Sequence, residues 1–220
     1  AWIGGIQRRY PLEIFTTNYD LLVEQALEKA NLPYFDGFVG SQDPFFDLRS
    51  IEFDDLPPRW TRLWKIHGSI NWAQQPSGKV VRKGSTENSA GLLIHPSELK
   101  YEQSRRMPYL ALIDRLKSFL RKPSALLVTL GYSYADEHLN EVLIDGLQSN
   151  PKAAAFALLF RNLDEEVGAS KICGKIPGNL TFVSRDKGVA KRRIAEWLRE
   201  PSNASEPVLC NLGDFNAFAK

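Results

Sequence analysis

Short apolar segments alternate along this chain with segments of helical periodicity, and this alternation limits the possible folds more than any other feature. Most candidate strands are rich in Val, Ile, Leu and Phe, as strands are when both faces of their sheet are covered. The candidate strands are Glu13–Thr17, Arg62–Ile66, Gly91–Ile94, Ala125–Leu130, Ala155–Phe160 and Leu180–Ser184. The candidate helices are Leu21–Ala30, Met107–Arg121, Asp136–Gln148 and Lys187–Arg199. This order predicts an α/β fold in which a mostly parallel sheet has helices on both faces.

Two stretches interrupt the alternation. Asn71–Ala90 is polar and contains two turn signals, so we expect a β-hairpin insertion there, with Lys79–Arg82 in one strand. Asp36–Arg59 mixes aromatic and acidic residues with little periodicity, which is typical of a long loop over the carboxyl edge of a sheet. We expect one domain over residues 1–200 and a C-terminal tail over 201–220, docked through Phe215 and Phe218.

Composition excludes several classes of protein. The 220 residues are 43% hydrophobic and 25% charged, and their formal net charge is +2, which is ordinary for a globular domain. A nearly balanced charge gives no reason to expect direct contact with nucleic acid or with a membrane surface. The two cysteines, Cys173 and Cys210, are far apart and cannot form a structural zinc site. One disulfide is possible, but a reduced, cytoplasmic protein is the simpler explanation of two distant cysteines. No apolar run is long enough for a membrane span, so we expect none.

Three polar residues follow two of the predicted strands. Asn18 and Asp20 come directly after the strand that begins at Glu13, and His67 follows the strand that begins at Arg62. Open α/β sheets bind their ligands at the carboxyl ends of their strands. On spacing alone, Asp20 is better explained as a helix cap and Asn18 as a turn residue. A lone histidine is usually structural, and His67 would serve as a base near neutral pH only if it shared a cleft with Asn18.

Polar turns also follow three later strands. Gly131 and Ser133 end the strand over Ala125–Leu130, where a glycine would let the backbone approach a phosphate and the serine would offer a donor. An ordinary strand-to-helix turn explains these two residues equally well. Asn162 follows the next strand, and Asp186 stands before the last predicted helix. Together these turns predict an edge that could hold an extended nucleotide, although no G-x-G-x-x-G or GxxxxGK[ST] motif is present.

In their order along the chain, these motifs resemble the sirtuin superfamily, and more closely the SIR2-like domains of bacterial antiphage defence proteins. The resemblance extends from about Leu12 to Leu198. Its motifs are Thr16–Asp20, Lys65–Trp72, Leu92–Pro96, Leu130–Ser133 and Leu159–Asn162. It implies a Rossmann-like fold and a site in which NAD+ is the substrate and is cleaved at the nicotinamide ribose.

The resemblance also implies roles for individual residues. Asn18 would orient the ribose or the attacking water, Asp20 would contact the nicotinamide carboxamide, and His67 would act as general base on a ribose hydroxyl or hold the ribose. The residues implied to bind the cofactor are Thr17, Gly131, Ser133, Asn162 and Asp186. In this set the turn at Gly131 and Ser133 would bind ribose or phosphate, and Asn162 would contact the adenosine ribose.

The chain departs from the family pattern in two places. Protein-deacylating sirtuins usually carry a four-cysteine zinc module after the histidine, whereas Asn71–Ala90 contains no cysteine. We therefore expect no zinc, and NAD+ hydrolysis fits better than deacylation. The glycine-rich loop that begins family members is not found before Glu13, so we expect the 220 residues to be an N-terminally incomplete domain.

The expected function is that of an NAD+ hydrolase, an antiphage effector that depletes NAD+. We expect a homo-oligomer or a partner defence protein, such as an ATPase or a sensor domain, to control it. The alternatives are an NAD-dependent protein deacylase or ADP-ribosyltransferase, and a non-catalytic domain that senses nucleotide or assembles.

Overall fold

The chain divides into two units, Ala1–Leu116 and Lys117–Lys220. The computed structural model describes residues 9–84, 92–93, 107–197 and 209–219, with 92–93 described in the backbone only. The expected domain over residues 1–200 and tail over 201–220 stay predictions. Each unit contains a set of parallel strands, so a mixed α/β architecture with helices is confirmed.

The first unit is built on a three-stranded parallel sheet with the strand order β1–β5–β2. An antiparallel sheet with the order β3–β4–β8–β7 and an antiparallel pair of β6 with β9 complete its described strands. Its elements in chain order are β1 Glu13–Thr16, α1 Leu22–Lys29, β2 Tyr34–Phe35, β3 Phe38–Val39, β4 Phe45–Phe46, α2 Leu48–Phe53, β5 Thr61–Lys65, β6 Gly68–Ser69, β7 Trp72–Gln74, β8 Val80–Arg82, β9 Leu92–Leu93 and the start of α3 Tyr109–Arg121.

Strand β5 is buried along its whole length although two of its five residues are cations. On one face, Arg62 is 1% exposed and its Nε donates to Asp54 at 2.8 Å. On the same face the indole N–H of Trp64 donates to the Glu13 carboxylate at 2.9 Å, and the guanidinium of Arg115 from α3 donates to that carboxylate, also at 2.9 Å. The Glu13 carboxylate therefore ties β1 to β5 and to α3, while Asp54 ties β5 to the segment that precedes it.

The four-stranded sheet packs its aromatic side chains into the core of the first unit. The ring of Phe38 lies 5.6 Å from that of Phe46 and 5.1 Å from that of Trp72. Arg82 forms an ion pair with the buried Asp36 beside these rings. Burial raises the pKa of Asp36, and the Arg82 guanidinium only partly opposes this rise.

Regular structure occurs in both stretches that interrupt the alternation. β7 and β8 form an antiparallel hairpin within Asn71–Ala90, while residues 85–90 lie outside the described part of the chain. In Asp36–Arg59 the structure has β3, β4 and α2, so the expectation of a loop with little regular structure is wrong there. The strand expected over Gly91–Ile94 is described only at β9, which pairs antiparallel with β6 instead of joining a parallel sheet.

The second unit is built on a five-stranded sheet with the order β10–β11–β12–β13–β14. β10, β11 and β12 are parallel, and β13 and β14 add two antiparallel strands at one side. Its elements are the end of α3, β10 Leu126–Leu130, α4 Glu137–Ser149, β11 Ala154–Leu158, a 3₁₀ helix Leu163–Glu165, α5 Val167–Ile172, a 3₁₀ helix Cys173–Lys175, β12 Leu180–Val183, β13 Lys187–Ala190, β14 Arg193–Glu196 and α6 Phe215–Phe218.

The helix predicted over Lys187–Arg199 is wrong, because β13 and β14 form a hairpin there. Lys191 and Arg192 make the turn with positive φ values of 49° and 63°, the geometry of a two-residue hairpin turn. Such turns usually contain Gly or Asn, so this basic pair gives no turn signal in the sequence. The indole N–H of Trp197 donates to the Ser184 carbonyl at 3.0 Å and anchors the hairpin.

Two further expectations about the second unit are corrected. β10 is not buried on both faces, since Leu126 is 58% and Val128 is 39% exposed. The tail does not dock through Phe215 and Phe218, which are 69% and 39% exposed. Its backbone makes the contact instead, as described below for Gly213.

Candidate functional site

The carboxyl ends of β1 and β5 place two predicted catalytic residues at one sheet edge. The strands are parallel, and Thr16 pairs in register with Lys65. Asn18 lies two residues after Thr16, and His67 lies two residues after Lys65. Asn18 is exposed and His67 is half-buried, so the chain ends its strands here with accessible polar side chains.

The loop from Thr17 to Asp20 is held by the side chains of Thr16 and Asp20 and by Ile70, the residue after β6. The Asn18 N–H donates to the Thr16 hydroxyl at 3.1 Å, and the Leu22 N–H donates to the Asp20 carboxylate at 3.0 Å. Asp20 therefore closes a turn before α1 rather than standing at the N-cap position, which Leu21 occupies. The Ile70 N–H donates to the carbonyl of Tyr19, between the two predicted catalytic residues, at 3.1 Å.

Lys65 contributes to this loop and was missed by sequence reasoning. It is 1% exposed, and its ammonium contacts the carbonyls of Tyr19 and Asp20 and the carboxylate of Glu24. The signal in the sequence was a lysine at the last position of an otherwise buried strand. Such a cation must find partners inside the protein, because burying it unpaired is very costly.

The second unit aligns three carboxyl strand ends. Leu130 pairs with Leu158, and Leu158 pairs with Val183, so β10, β11 and β12 end at the same level. All the cofactor-binding residues predicted in this unit follow these ends closely, as the sequence order requires. They are Gly131, Ser133, Asn162 and Asp186.

The turn after β10 is fixed by buried hydrogen bonds. Gly131 and Tyr134, at the two ends of this turn, have positive φ values of 64° and 55°. The Asn140 amide donates to the Tyr134 carbonyl at 2.8 Å and accepts from the Tyr132 hydroxyl at 2.8 Å. Burial, and the nearby Asp136 carboxylate, raise the pKa of Tyr132, so its hydroxyl remains a neutral donor. Ser133 is left exposed at the tip of a rigid turn.

Helix α5 approaches this turn closely at Gly168. A Cβ atom at that position would lie 2.2 Å from the Ser133 carbonyl oxygen and 2.6 Å from that of Tyr134. No side chain larger than a hydrogen fits there without a shift of the backbone. Gly168 is therefore a packing requirement of the Ser133 turn.

Asn162 and Asp186 belong to one hydrogen-bonded corner. The Asn162 amide donates to Glu165 at 2.8 Å, and the next N–H, that of Leu163, donates to the Asp186 carboxylate at 2.9 Å. Burial would raise the pKa of Asp186, but hydrogen bonds from Leu163 and the Ser184 hydroxyl, with the charge of Lys187, hold that pKa below its usual range. Asp186 ties the ends of β11 and β12 together, whereas the sequence prediction placed it before a helix.

The C-terminal segment crosses the same edge. The Cys210 N–H donates to the Arg185 carbonyl at 2.8 Å. Gly213 is buried so tightly that a Cβ atom there would lie 2.0 Å from the Leu159 carbonyl oxygen. Residues 210–213 therefore pack against the backbone that follows β11.

A cleft of about 650 Å³ in the first unit contains none of the predicted site residues. Residues 41–44, 73–76 and 81–84 line it. Among the described residues, no three His, Cys, Asp or Glu side chains are grouped as metal ligands. None of the helices in that part of the chain is long and apolar enough to cross a membrane.

The family of the chain is shown by a comparison with known protein families. The family model described as a SIR2-like domain matches residues 12–172, which is more than half of the 220 residues. The chain belongs to the SIR2-like family. SIR2-like domains use NAD+, so an NAD-related activity applies to this one in general terms. No match was found among curated proteins.

The SIR2-like match includes most of the predicted site and leaves out one residue. Both predicted strand ends of the first unit, the turn after β10 and Asn162 lie within residues 12–172, whereas Asp186 lies beyond them. The roles of the individual residues stay predictions, as do the absence of zinc and the replacement of a zinc module by the β7–β8 hairpin.

Proposed function

We propose that this SIR2-like domain is an NAD+ glycohydrolase, which cleaves the bond between nicotinamide and ribose. The observation that most supports this is the in-register pairing of β1 with β5, which gives Asn18 and His67 equivalent positions at one sheet edge. An exposed amide and a half-buried imidazole at such an edge can act on a bound molecule.

Catalysis of this cleavage depends mainly on the positioning of the ribose and the attacking water. The C1′–N bond breaks, nicotinamide leaves with the bonding electrons, and positive charge develops on the ribose. A water oxygen then bonds to C1′ and gives up a proton, so the products are nicotinamide, ADP-ribose and H⁺. Asn18 would orient that water or the ribose, and His67 would accept the proton as general base. Asp20 already accepts the Leu22 N–H with one oxygen, and its second oxygen would accept the carboxamide N–H.

We also propose that the strand ends of the second unit bind nucleotide. Gly131 allows the backbone to approach a phosphate, and Ser133 presents its hydroxyl from a turn that Asn140 holds rigid. Asn162 would contact a ribose, and Asp186 supports the corner in which Asn162 lies. In the first unit, Thr17 is proposed to contact the cofactor.

The experiment is NAD+ hydrolysis by the full-length protein, followed as nicotinamide and ADP-ribose release by chromatography. Asn18→Ala and His67→Ala should each lower kcat at least 100-fold, since correct placement of the reacting groups supplies much of the catalysis. His138→Ala, a histidine on α4, is the matched control and should retain activity. Unchanged hydrolysis in both Asn18→Ala and His67→Ala would remove these residues from the mechanism. Nicotinamide release that requires an acetyl-lysine peptide would support a deacylase instead.

The cellular role that we propose follows from the resemblance to antiphage SIR2-like domains. In a bacterial cytoplasm the full-length protein, as an oligomer or with a partner, would deplete NAD+ during infection. Cellular NAD+ should fall after phage addition in cells expressing the natural protein and stay constant with Asn18→Ala. Equal NAD+ levels in both strains would contradict this role.

A further inference from the structure

We propose that Lys65 is a positioning residue for Asn18, and that its buried ammonium holds the loop bearing Asn18 and Asp20 in the shape needed for NAD+ cleavage. This inference rests on the proposed function, because it assigns Lys65 to the same site. Lys65 itself lies inside the sheet and would not touch the substrate.

The contacts of Lys65 account for every hydrogen that an ammonium can donate. The Nζ atom lies 2.9 Å from the Glu24 carboxylate and 3.4 Å from the Tyr19 carbonyl, and it also donates to the Asp20 carbonyl. An ammonium has three N–H donors. Two of the three therefore go to the backbone of the candidate catalytic loop.

The Tyr19 carbonyl is held from several directions at once. In addition to Lys65, it accepts the Ile70 N–H at 3.1 Å and the Ser69 hydroxyl at 3.4 Å. Ser69 is fully buried, with 0% exposure. All these donors come from β5, β6 and the residue that follows, so the peptide between Asn18 and Asp20 is fixed to the segment that contains His67.

Stability alone does not explain a charge at this position. Withdrawing an ammonium and a carboxylate from water carries a large desolvation penalty for each ion, and apolar side chains of similar size are often as stable or more so. Lys65 is 1% exposed and Glu24 is 9% exposed. A leucine or methionine at position 65 could fill the space, but it could not donate to the Tyr19 and Asp20 carbonyls. The gain from Lys65 is therefore the fixed geometry of the loop.

Arg62 provides a control on the same strand. It is also 1% exposed, and it also donates to a carboxylate and to backbone carbonyls, in its case Asp54, Leu56 and Trp60. Its partners lie in the segment that precedes β5, at the opposite end of the strand from Asn18. Loss of Arg62 should reduce stability without changing the candidate catalytic loop.

The test compares two variants of the full-length protein with the wild type: the apolar pair Lys65→Met with Glu24→Leu, and Arg62→Met. For the apolar pair we expect folding close to that of the wild type and a kcat for NAD+ hydrolysis about 100-fold lower, the loss that a displacement of about 1 Å can cause. Arg62→Met should be destabilised, yet its kcat per folded molecule should stay within threefold of the wild type.

Nuclear magnetic resonance of the wild type gives a readout that needs neither a variant nor activity. The ammonium protons of Lys65 should exchange slowly with water and should show couplings, through their hydrogen bonds, to the carbonyl carbons of Tyr19 and Asp20. Wild-type hydrolysis together with an apolar pair that is equally active per folded molecule would overturn the inference, and so would a rapidly exchanging Lys65 ammonium. A wild type that shows the protected ammonium but never cleaves NAD+ would instead refute the proposed function.

Discussion

Asn140→Ala should destabilise the protein by removing the clamp on the turn after β10. Asn140 is 5% exposed, and its side chain joins the Tyr132 hydroxyl to the Tyr134 carbonyl through two hydrogen bonds of 2.8 Å. Truncation leaves the Tyr134 carbonyl without this donor in a buried place. The Tyr132 hydroxyl retains a weaker bond to the Asp136 carbonyl at 3.3 Å.

The magnitude follows from these two losses. A buried carbonyl left unsatisfied costs about 1–3 kcal/mol, and the partly compensated hydroxyl adds about 0.5–1 kcal/mol. We therefore expect Asn140→Ala to lower the free energy of unfolding by about 3 kcal/mol. For a chain of this length that corresponds to a fall in Tm of roughly 6–12 °C. Tyr132→Phe should cost about 1 kcal/mol, and the double variant should cost less than the sum, because both substitutions break the same bond.

Urea unfolding followed by circular dichroism measures this prediction, with the apparent KM for NAD+ as the functional readout. Asn150→Ala is the matched control, since the Asn150 amide donates to the Leu120 and Lys122 carbonyls away from the turn. We expect both variants to lose stability but only Asn140→Ala to raise KM. A free energy of unfolding for Asn140→Ala within about 0.5 kcal/mol of the wild type would refute the reasoning.

Three further outcomes are expected. Gly168→Ala should lower the free energy of unfolding by about 1–3 kcal/mol, because its Cβ would lie 2.2 Å from a backbone carbonyl oxygen. A Cβ at Gly174 would have nothing within 4 Å, so Gly174→Ala should be neutral in the same urea unfolding. Asp186→Asn should lower the free energy of unfolding at pH 7, where the carboxylate of the wild type is ionised. This difference from the wild type should shrink as the pH falls from about 4 through the lowered pKa of the folded state. Urea unfolding at several pH values measures the difference. A difference that grew toward acid would contradict this sign. Glu13→Ala should cost about 3 kcal/mol in urea unfolding, since it removes the acceptor of the Trp64 indole N–H and leaves the buried guanidinium of Arg115 with Asp54 as its remaining carboxylate. A loss below about 1 kcal/mol would contradict this prediction.

The apolar pattern was enough to predict most of the parallel strands and the three longest described helices. The strands that begin at Glu13 and Leu180 and the helix after Asp136 lie within one or two residues of their predicted bounds, because their apolar residues repeat with the period of the element. Because β1 and β5 are adjacent and parallel, Asn18 and His67 follow paired residues at the same edge of the sheet.

The failures have local physical causes. Lys191 and Arg192 adopt positive φ without glycine or asparagine, so the hairpin at β13 and β14 had the appearance of a helix in the sequence. Lys65 was overlooked because two of its three partners are backbone carbonyls, which residues of any type can supply. The docking of the tail at Gly213 depends on the absence of a side chain, which a sequence pattern does not reveal as a contact.

The two buried cations of β5 also protect the folding chain against a misaligned sheet. Arg62 and Lys65 are three residues apart, so they point to opposite faces, one toward Asp54 and the other toward Glu24. If β5 slipped by one residue against β1, each ammonium or guanidinium would turn to the face that lacks its carboxylate. Apolar strands tolerate such slips at modest cost, but a slip of β5 would leave two charges in the core without their carboxylate partners. The charges thus make the wrong alignment unstable and leave one pairing of β1 with β5.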